Sequence, residues 1–169
     1  MRKDMTGTRL IATFFGAGLL RPGPGTWGSL AALPVAWLLH FLGGFWALAL
    51  GTAIVFLVGW WVTIQETRGL TDPDPSEIVI DEVAGMWLAL WPVSLGAMIQ
   101  GVPITALWPG WVVAFLAFRA FDIWKPGPVG LADRMHTPLG VMLDDIIAGA
   151  LAAMVVAAFA VIAHGVMGI

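Results

Sequence analysis

Cysteine is absent from this chain of 169 residues, and histidine occurs only at positions 40, 136 and 164. The absence of cysteine excludes disulfides, thiolate metal sites and thiol catalysis. Three widely separated histidines argue against a histidine-rich metal cluster.

Charge is also scarce: only 11% of the residues are charged, whereas 59% are hydrophobic, and the mean hydropathy is +0.89. Ordinary soluble domains carry about 25% charged residues. So few charges cannot cover a surface that faces water, so lipid must replace water over much of it. The net charge of −3 argues against a nucleic-acid partner, which would require a basic patch.

The apolar runs predict an all-α, polytopic membrane helix bundle that forms a single domain over residues 1–169. Between Trp27 and Ile64 the only ionisable side chain is His40, and this run is long enough for two crossings, divided at Gly43-Gly44. Three further spans are predicted at residues 83–99, 104–121 and 146–162. The stretch 10–20 is too short to cross and is expected to be interfacial or re-entrant. The bundle thus has about five transmembrane helices plus this N-terminal segment.

With five spans, every lysine and arginine falls on one side of the membrane; they occupy positions 2, 3, 9, 21, 68, 119, 125 and 134. Positive charge concentrates on the cytoplasmic side of membrane proteins, so we assign this side to the cytoplasm. All eleven acidic residues fall on the same side. A polar site is therefore expected at the cytoplasmic end of the bundle.

Two acidic pairs, Asp81-Glu82 and Asp144-Asp145, stand at the same distance after Asp74-Pro75 and Thr137-Pro138. Asp74 suits a helix N-cap, Pro75 the first helical position and Glu77 the third. This spacing predicts that each helix begins at its proline and runs on into a span. In the first helix, Glu77 and Asp81 would then share a face.

Each acidic pair is soon followed by Ala-Gly, at 84–85 and 148–149. Small residues allow helices to approach closely in membranes, so the two helices are predicted to cross near Gly85 and Gly149 with their carboxylates facing one another. Four converging carboxylates repel unless a cation neutralises them, and Mg²⁺ favours oxygen ligands. The candidate metal ligands are Asp81, Glu82, Asp144 and Asp145. The alternative is that these acids only mark helix starts, where the helix dipole favours negative charge.

A second group of polar residues, Arg119, Asp122 and Lys125, recurs at every third position at the end of the fourth span. Beside a metal site, the two cations suggest a phosphate clamp and Asp122 a further metal ligand. Snorkelling of the cations at the helix end is the alternative. At the start of the first span, Thr26 and Ser29 could bind phosphate together with free backbone N–H groups, or could simply cap the helix.

Four segments of the chain resemble, in order, the signature blocks of the phosphatidylglycerophosphatase A family. They are Pro24-Gly25-Thr26-Trp27-Gly28-Ser29-Leu30 and the blocks at residues 74–85, 118–126 and 140–149. The resemblance extends over residues from about 10 to 160. It implies a Mg²⁺-dependent phosphatase of the bacterial inner membrane that converts phosphatidylglycerophosphate, a membrane lipid, to phosphatidylglycerol.

This interpretation gives the candidate residues roles in phosphoryl transfer, which depends on positioning and on charge stabilisation. The expected catalytic residues are Asp81, Glu82, Asp122 and Asp145, and the expected substrate-binding residues are Thr26, Ser29, Arg119 and Lys125. A water molecule would attack phosphorus in line, or an aspartyl-phosphate intermediate would form first. Both routes stay open.

Two other functions compete with this one. A CDP-alcohol phosphotransferase also uses acidic helices and divalent metal, but it would show Asp-Gly-x-x-Ala-Arg, and no such run occurs here. An ion or proton transporter should carry acids near the middle of its spans, where this chain has none. Both alternatives therefore explain the sequence less well than a lipid phosphatase does.

Overall fold

The computed structural model describes residues 5–70 and 74–167, except the side chains of His164, Val166 and Met167, and every regular element in this part of the chain is helical. Four charged residues that the predicted topology assigns to the cytoplasmic side lie outside the described residues: Arg2, Lys3, Asp4 and Asp72. The α-helices are α1 (Gly7–Ala12), α2 (Pro24–Thr67), α3 (Ile80–Ala89), α4 (Trp91–Gln100), α5 (Trp108–Trp124), α6 (Pro128–Asp133) and α7 (Pro138–Met167). Short 3₁₀ turns occupy Ala17–Leu19 and Ile104–Leu107.

Four helical stretches of the described chain are long and apolar enough to cross a membrane: Pro24–Thr67, Ile80–Gln100, Ile104–Trp124 and Pro138–Ala163. The second joins α3 and α4 and the third joins a 3₁₀ turn to α5. The predicted all-helical membrane protein is therefore confirmed. The predicted spans lie inside these stretches, which extend several residues further at some ends.

The 44 residues of α2 contain a break, because Gly43 and Gly44 have non-helical backbone angles. A straight helix would place residues 39 and 51 about 18 Å apart, at 1.5 Å per residue. Instead, a Cβ built on Gly51 would lie 2.8 Å from Leu39 Cδ1. The chain therefore reverses at the predicted position, and residues 24–42 and 45–67 lie side by side.

The start of α3 differs from the prediction. Residues 75–78 form a turn, with the Ile78 N–H donating to the Pro75 carbonyl at 2.9 Å, and the helix begins at Ile80. Glu77 is paired with Arg9 of the N-terminal segment. The prediction that a helix starts at Pro75, with Glu77 and Asp81 on one face, is thus wrong, because tertiary contacts override the local capping signal.

The second predicted helix start is confirmed. α7 begins at Pro138, and the Gly140 N–H donates to Thr137 Oγ1 at 3.1 Å, as expected of an N-cap residue. The two acidic segments, alike in sequence, thus begin their helices differently.

α3 lies at the centre of the bundle, in contact with α2, α5 and α7. The first half of α2 runs parallel to α3 and to α4, which follows it. The Trp87 indole of α3 donates to the Ala32 carbonyl at 2.9 Å, and His40 Nδ1 hydrogen-bonds Ser94 Oγ of α4 at 2.7 Å. The His40 contact shows that this histidine bonds a neighbouring helix. This register places the starts of α2 and α3 at the same end of the bundle.

Candidate active site

Three carboxylates converge where α3 and α7 begin. Asp81 and Glu82 lie in the first turn of α3, and Asp145 lies in the early part of α7. Each offers an oxygen, and these oxygens all lie within 4.8 Å of one another. Like charges at this separation repel strongly, so the cluster is stable only with a counter-charge or bound protons.

The convergence depends on two glycines. A Cβ on Gly149 would collide with the backbone of Gly85, and a Cβ on Gly85 would lie 2.5 Å from the Asp145 carbonyl oxygen. α3 and α7 therefore cross in backbone contact, as the two Ala-Gly steps predicted. A bulkier residue at either position would separate Asp145 from the α3 pair.

The residues of this cluster fit a divalent metal. Asp81 is 5% exposed and Asp145 is 3% exposed, so little water reaches them. Glu82 Oε2 is buried without a hydrogen-bond partner in the described structure. An unpartnered carboxylate oxygen inside a set of hard oxygen donors is the arrangement that Mg²⁺ binds.

Asp144, the fourth predicted ligand, faces a different partner. Its Oδ2 accepts a hydrogen bond from Lys125 Nζ at 2.8 Å, and Lys125 also donates to Asp133. Burial lowers the pKa of Lys125, but the two carboxylates outweigh it and hold that pKa above its ordinary value. In the structure, Lys125 therefore binds two protein carboxylates. Its contact with phosphate stays a prediction, and so does the binding of a metal by Asp144.

Arg119 brings positive charge to the cluster. It forms an ion pair with Asp122 one turn further along α5, and the Asp122 carboxyl lies beside that of Asp145. The Arg119 Nε is buried and has no partner among the described residues. Arg119 and Asp122 therefore share a helix face, as predicted, and this face meets the carboxylate cluster.

The first turn of α2 completes the site. A Cβ on Gly25 would overlap the Glu82 carboxylate and lie 3.1 Å from Arg119 Nη1. Thr26 follows in this turn and is partly exposed. Ser29 is fully buried and its hydroxyl donates to the Gly25 carbonyl at 2.8 Å. Its contact with phosphate stays a prediction, and its hydrogen-bond donor already has a partner.

The sequence analysis assigned no role in the site to two acidic residues that lie near it, Asp74 and Asp133. Asp74 stands near enough to Asp81 and Asp144 to repel them electrostatically, although the sequence suggested only a capping residue. Asp133 ends α6 and binds Lys125. No local sequence pattern marks either contact, because both depend on how the surrounding helices pack together.

Apolar helices with a buried cluster of carboxylates and an arginine at one end define a membrane protein with a candidate metal-dependent active site. The chain belongs to the phosphatidylglycerophosphatase A family, whose model matches residues 10–160. This confirms the family that the sequence motifs indicated.

Curated relatives agree with this assignment. Phosphatidylglycerophosphatase A of Escherichia coli (strain K12) is 39% identical over 147 residues, which cover 85% of this chain and 78% of the relative. The protein of that name from Haemophilus influenzae is 35% identical over 148 residues, or 87% of this chain and 85% of the relative. A Bacteroides thetaiotaomicron relative, 36% identical over 145 residues (83% and 85%), is named provisionally as a phosphatidylinositol-3-phosphatase. No solved structure matches the chain significantly.

Proposed function

We propose that this chain hydrolyses the terminal phosphate monoester of phosphatidylglycerophosphate, giving phosphatidylglycerol and inorganic phosphate, as a step of phospholipid biosynthesis. The observation that carries the proposal is the cluster of Asp81, Glu82 and Asp145 at one end of an apolar bundle in a chain of this family. A lipid phosphate lies at headgroup level, so an enzyme that hydrolyses it requires its polar groups at that depth.

The proposed topology has five crossings, because α2 reverses at Gly43-Gly44 and so supplies two of them. The site then lies on the cytoplasmic side of the bacterial inner membrane, together with the described lysines and arginines. The N-terminal segment lies along this interface, which is supported by the exposure of Leu10, Phe15 and Leu20. Apolar side chains at a membrane boundary are stabilised by contact with lipid.

In this proposal Asp81, Glu82 and Asp145 hold Mg²⁺, with Asp144 and Asp122 as further candidate ligands. When bound, the metal would neutralise charge that develops on the phosphoryl oxygens. The metal requirement is an expectation supported by the donor set and by the unpartnered oxygen of Glu82.

The chain's own groups orient the phosphate. Arg119 supplies a cation beside Glu82, and its buried Nε–H has no partner among the described residues. The Thr26 hydroxyl and the α2 N-terminus supply further donors. The Asp122 carboxylate holds the Arg119 guanidinium against the cluster. In the net reaction the P–O bond to the lipid breaks, the water oxygen forms the new bond to phosphorus, and the proton released by water goes to the lipid oxygen, which leaves as the alcohol. This holds whether water attacks phosphorus directly or hydrolyses an aspartyl-phosphate intermediate.

The test uses purified protein in detergent with phosphatidylglycerophosphate as substrate. Wild-type protein should release inorganic phosphate with Mg²⁺, and EDTA should abolish the release. Asp81→Asn and Asp145→Asn should each lower turnover at least about a thousandfold, because each removes charge from the cluster. Thermal unfolding of both variants should show a folded protein.

Near-wild-type turnover by either variant would show that the substituted residue does not belong to the active site. Phosphatidylinositol 3-phosphate and phosphatidic acid are measured in parallel, since one relative is named for the former. A clear preference for either of them over phosphatidylglycerophosphate would overturn the proposed substrate.

A further inference from the structure

The N-terminal segment at residues 6–21, called here the strap, lies across the loop at residues 74–79 that leads into α3. Arg9 of the strap forms an ion pair with Glu77 of the loop. The Ala12 carbonyl accepts a hydrogen bond from the Val79 N–H at 2.9 Å. A Cβ on Gly18 would collide with the backbone of Glu77, so the strap and the loop touch at the main chain.

The strap is held at both ends. Near its start, Thr8 Oγ1 donates to Glu66 of α2 at 2.6 Å. At its other end, Arg21 Nη1 donates to Ser76 Oγ at 3.3 Å. The Arg9 side chain is only 15% exposed, so its pair with Glu77 is partly shielded from water and from salt. The strap is therefore a fixed part of the fold in this region.

These contacts decide where α3 begins. Val79 is the N-cap of α3, and its N–H has no partner within the helix, so the Ala12 carbonyl supplies one. Asp81 and Glu82 follow within three residues. If α3 began one residue earlier or later, its side chains would rotate by about 100° relative to the loop, which would turn the two carboxylates away from Asp145.

We propose that Arg9 and Glu77 are positioning residues for the acidic cluster: their ion pair locks the strap to the loop and so sets the start of α3. Neither residue touches the cluster, and both act through the backbone of residues 77–79. The inference rests on the proposed function of the site, because its effect is measured as turnover.

The experiment measures steady-state kinetics on phosphatidylglycerophosphate and thermal unfolding for the full-length protein in detergent. Arg9→Gln and Glu77→Gln should each lower kcat about tenfold or more, with KM within about twofold, since misplaced catalytic groups slow the chemical step. The exchanged double variant R9E/E77R should recover most of the lost kcat, because it restores the pair.

Two further variants sharpen the test. Arg9→Lys keeps the charge and should give a kcat between those of the wild type and Arg9→Gln. Arg68→Gln removes an exposed cation at the end of α2 and should leave kcat unchanged.

Wild-type kcat in Arg9→Gln and Glu77→Gln would overturn the inference. So would a loss of kcat that matches the loss of folded protein, or a double variant that recovers nothing. A wild-type protein that releases no phosphate would instead overturn the proposed function, so the two failures are distinguishable.

Discussion

Gly25 stands where the first turn of α2 meets Glu82 and Arg119. No side chain separates these groups from the α2 backbone, and a methyl group there would overlap the Glu82 carboxylate. The helix N-terminus carries partial positive charge, which favours an anion at this point. Gly25 thus brings a favourable dipole into direct contact with the acidic cluster.

We predict that Gly25→Ala lowers kcat for phosphate release about tenfold or more, because the carboxylate and the guanidinium must move apart to admit the methyl group. Gly7→Ala is the matched control, since nothing lies within 4 Å of a Cβ at that position. Kinetics of both variants check the prediction. Equal activities would show that the close approach at Gly25 has no functional role.

Lys125 links α6 to α7 through Asp133 and Asp144. Lys125→Met would leave the buried Asp144 carboxylate without its cation and should lower the free energy of unfolding by about 1–3 kcal/mol. Asp144→Asn should lower the free energy of unfolding less in the Lys125→Met variant than in the wild type, because the ion pair between Lys125 and Asp144 is already broken. Denaturation in detergent measures the three variants, and strictly additive losses would contradict the pairing.

The pH dependence of this link has a definite sign. The folded-state pKa of Lys125 is raised, so its stabilising contribution is complete below the ordinary lysine pKa of about 10.4 and is lost only as the pH rises through the raised value. Titration of Lys125 should therefore not change stability between about pH 6 and 9.

The crossing of α3 and α7 is the element-scale feature on which the site depends. Here a Cβ on Gly149 would meet the Gly85 backbone, which cannot rotate away as a flexible side chain could. Close backbone approach of this kind is how helices pack tightly inside membranes.

Gly149→Ala should therefore separate the two helices, lowering both the unfolding temperature and the rate of phosphate release. Gly165→Ala lies on the same helix with nothing within 4 Å of its Cβ, and should be neutral or slightly stabilising. Thermal unfolding and activity assays compare the two. An unfolding temperature that is the same in both variants would argue against a tight crossing.

At the scale of the whole molecule, the reversal of α2 decides which loops share a side of the membrane. With two crossings in α2, residues 21 and 68 lie on the same side, and residue 100 lies on the other. A single crossing would instead separate residues 21 and 68. The native chain has no cysteine, so one introduced cysteine is a unique label.

We predict that Arg21→Cys and Arg68→Cys react with a membrane-impermeant maleimide only from the cytoplasmic side, and Gln100→Cys only from the opposite side. All three positions are exposed. Labelling of intact cells and of inverted membrane vesicles checks the prediction. Opposite sides for residues 21 and 68 would exclude the five-crossing topology.

Much of this architecture is readable from local sequence. Uncharged runs of sufficient length predict membrane helices, because each span must be apolar along its own length. Glycine, proline and cap residues also shape the chain at their own positions. They predict the break at Gly43-Gly44, the start of α7 at Pro138 and the crossing at Gly85 and Gly149. The four signature blocks indicate the family in the same way, since each is a short continuous run of residues.

Only the tertiary structure decided the contacts between residues that lie in different segments of the sequence. α3, which the strap contacts, begins at Ile80 and not at the predicted Pro75. Lys125 forms ion pairs with Asp133 and Asp144. Gly25 lies against the Glu82 carboxylate. None of these contacts has a local signal, because each joins segments whose separation is set by helix packing. The sequence by itself therefore determined the class of protein and the end of the bundle at which the charged residues lie. Helix packing determined which carboxylates come together and which of the cations form ion pairs with them.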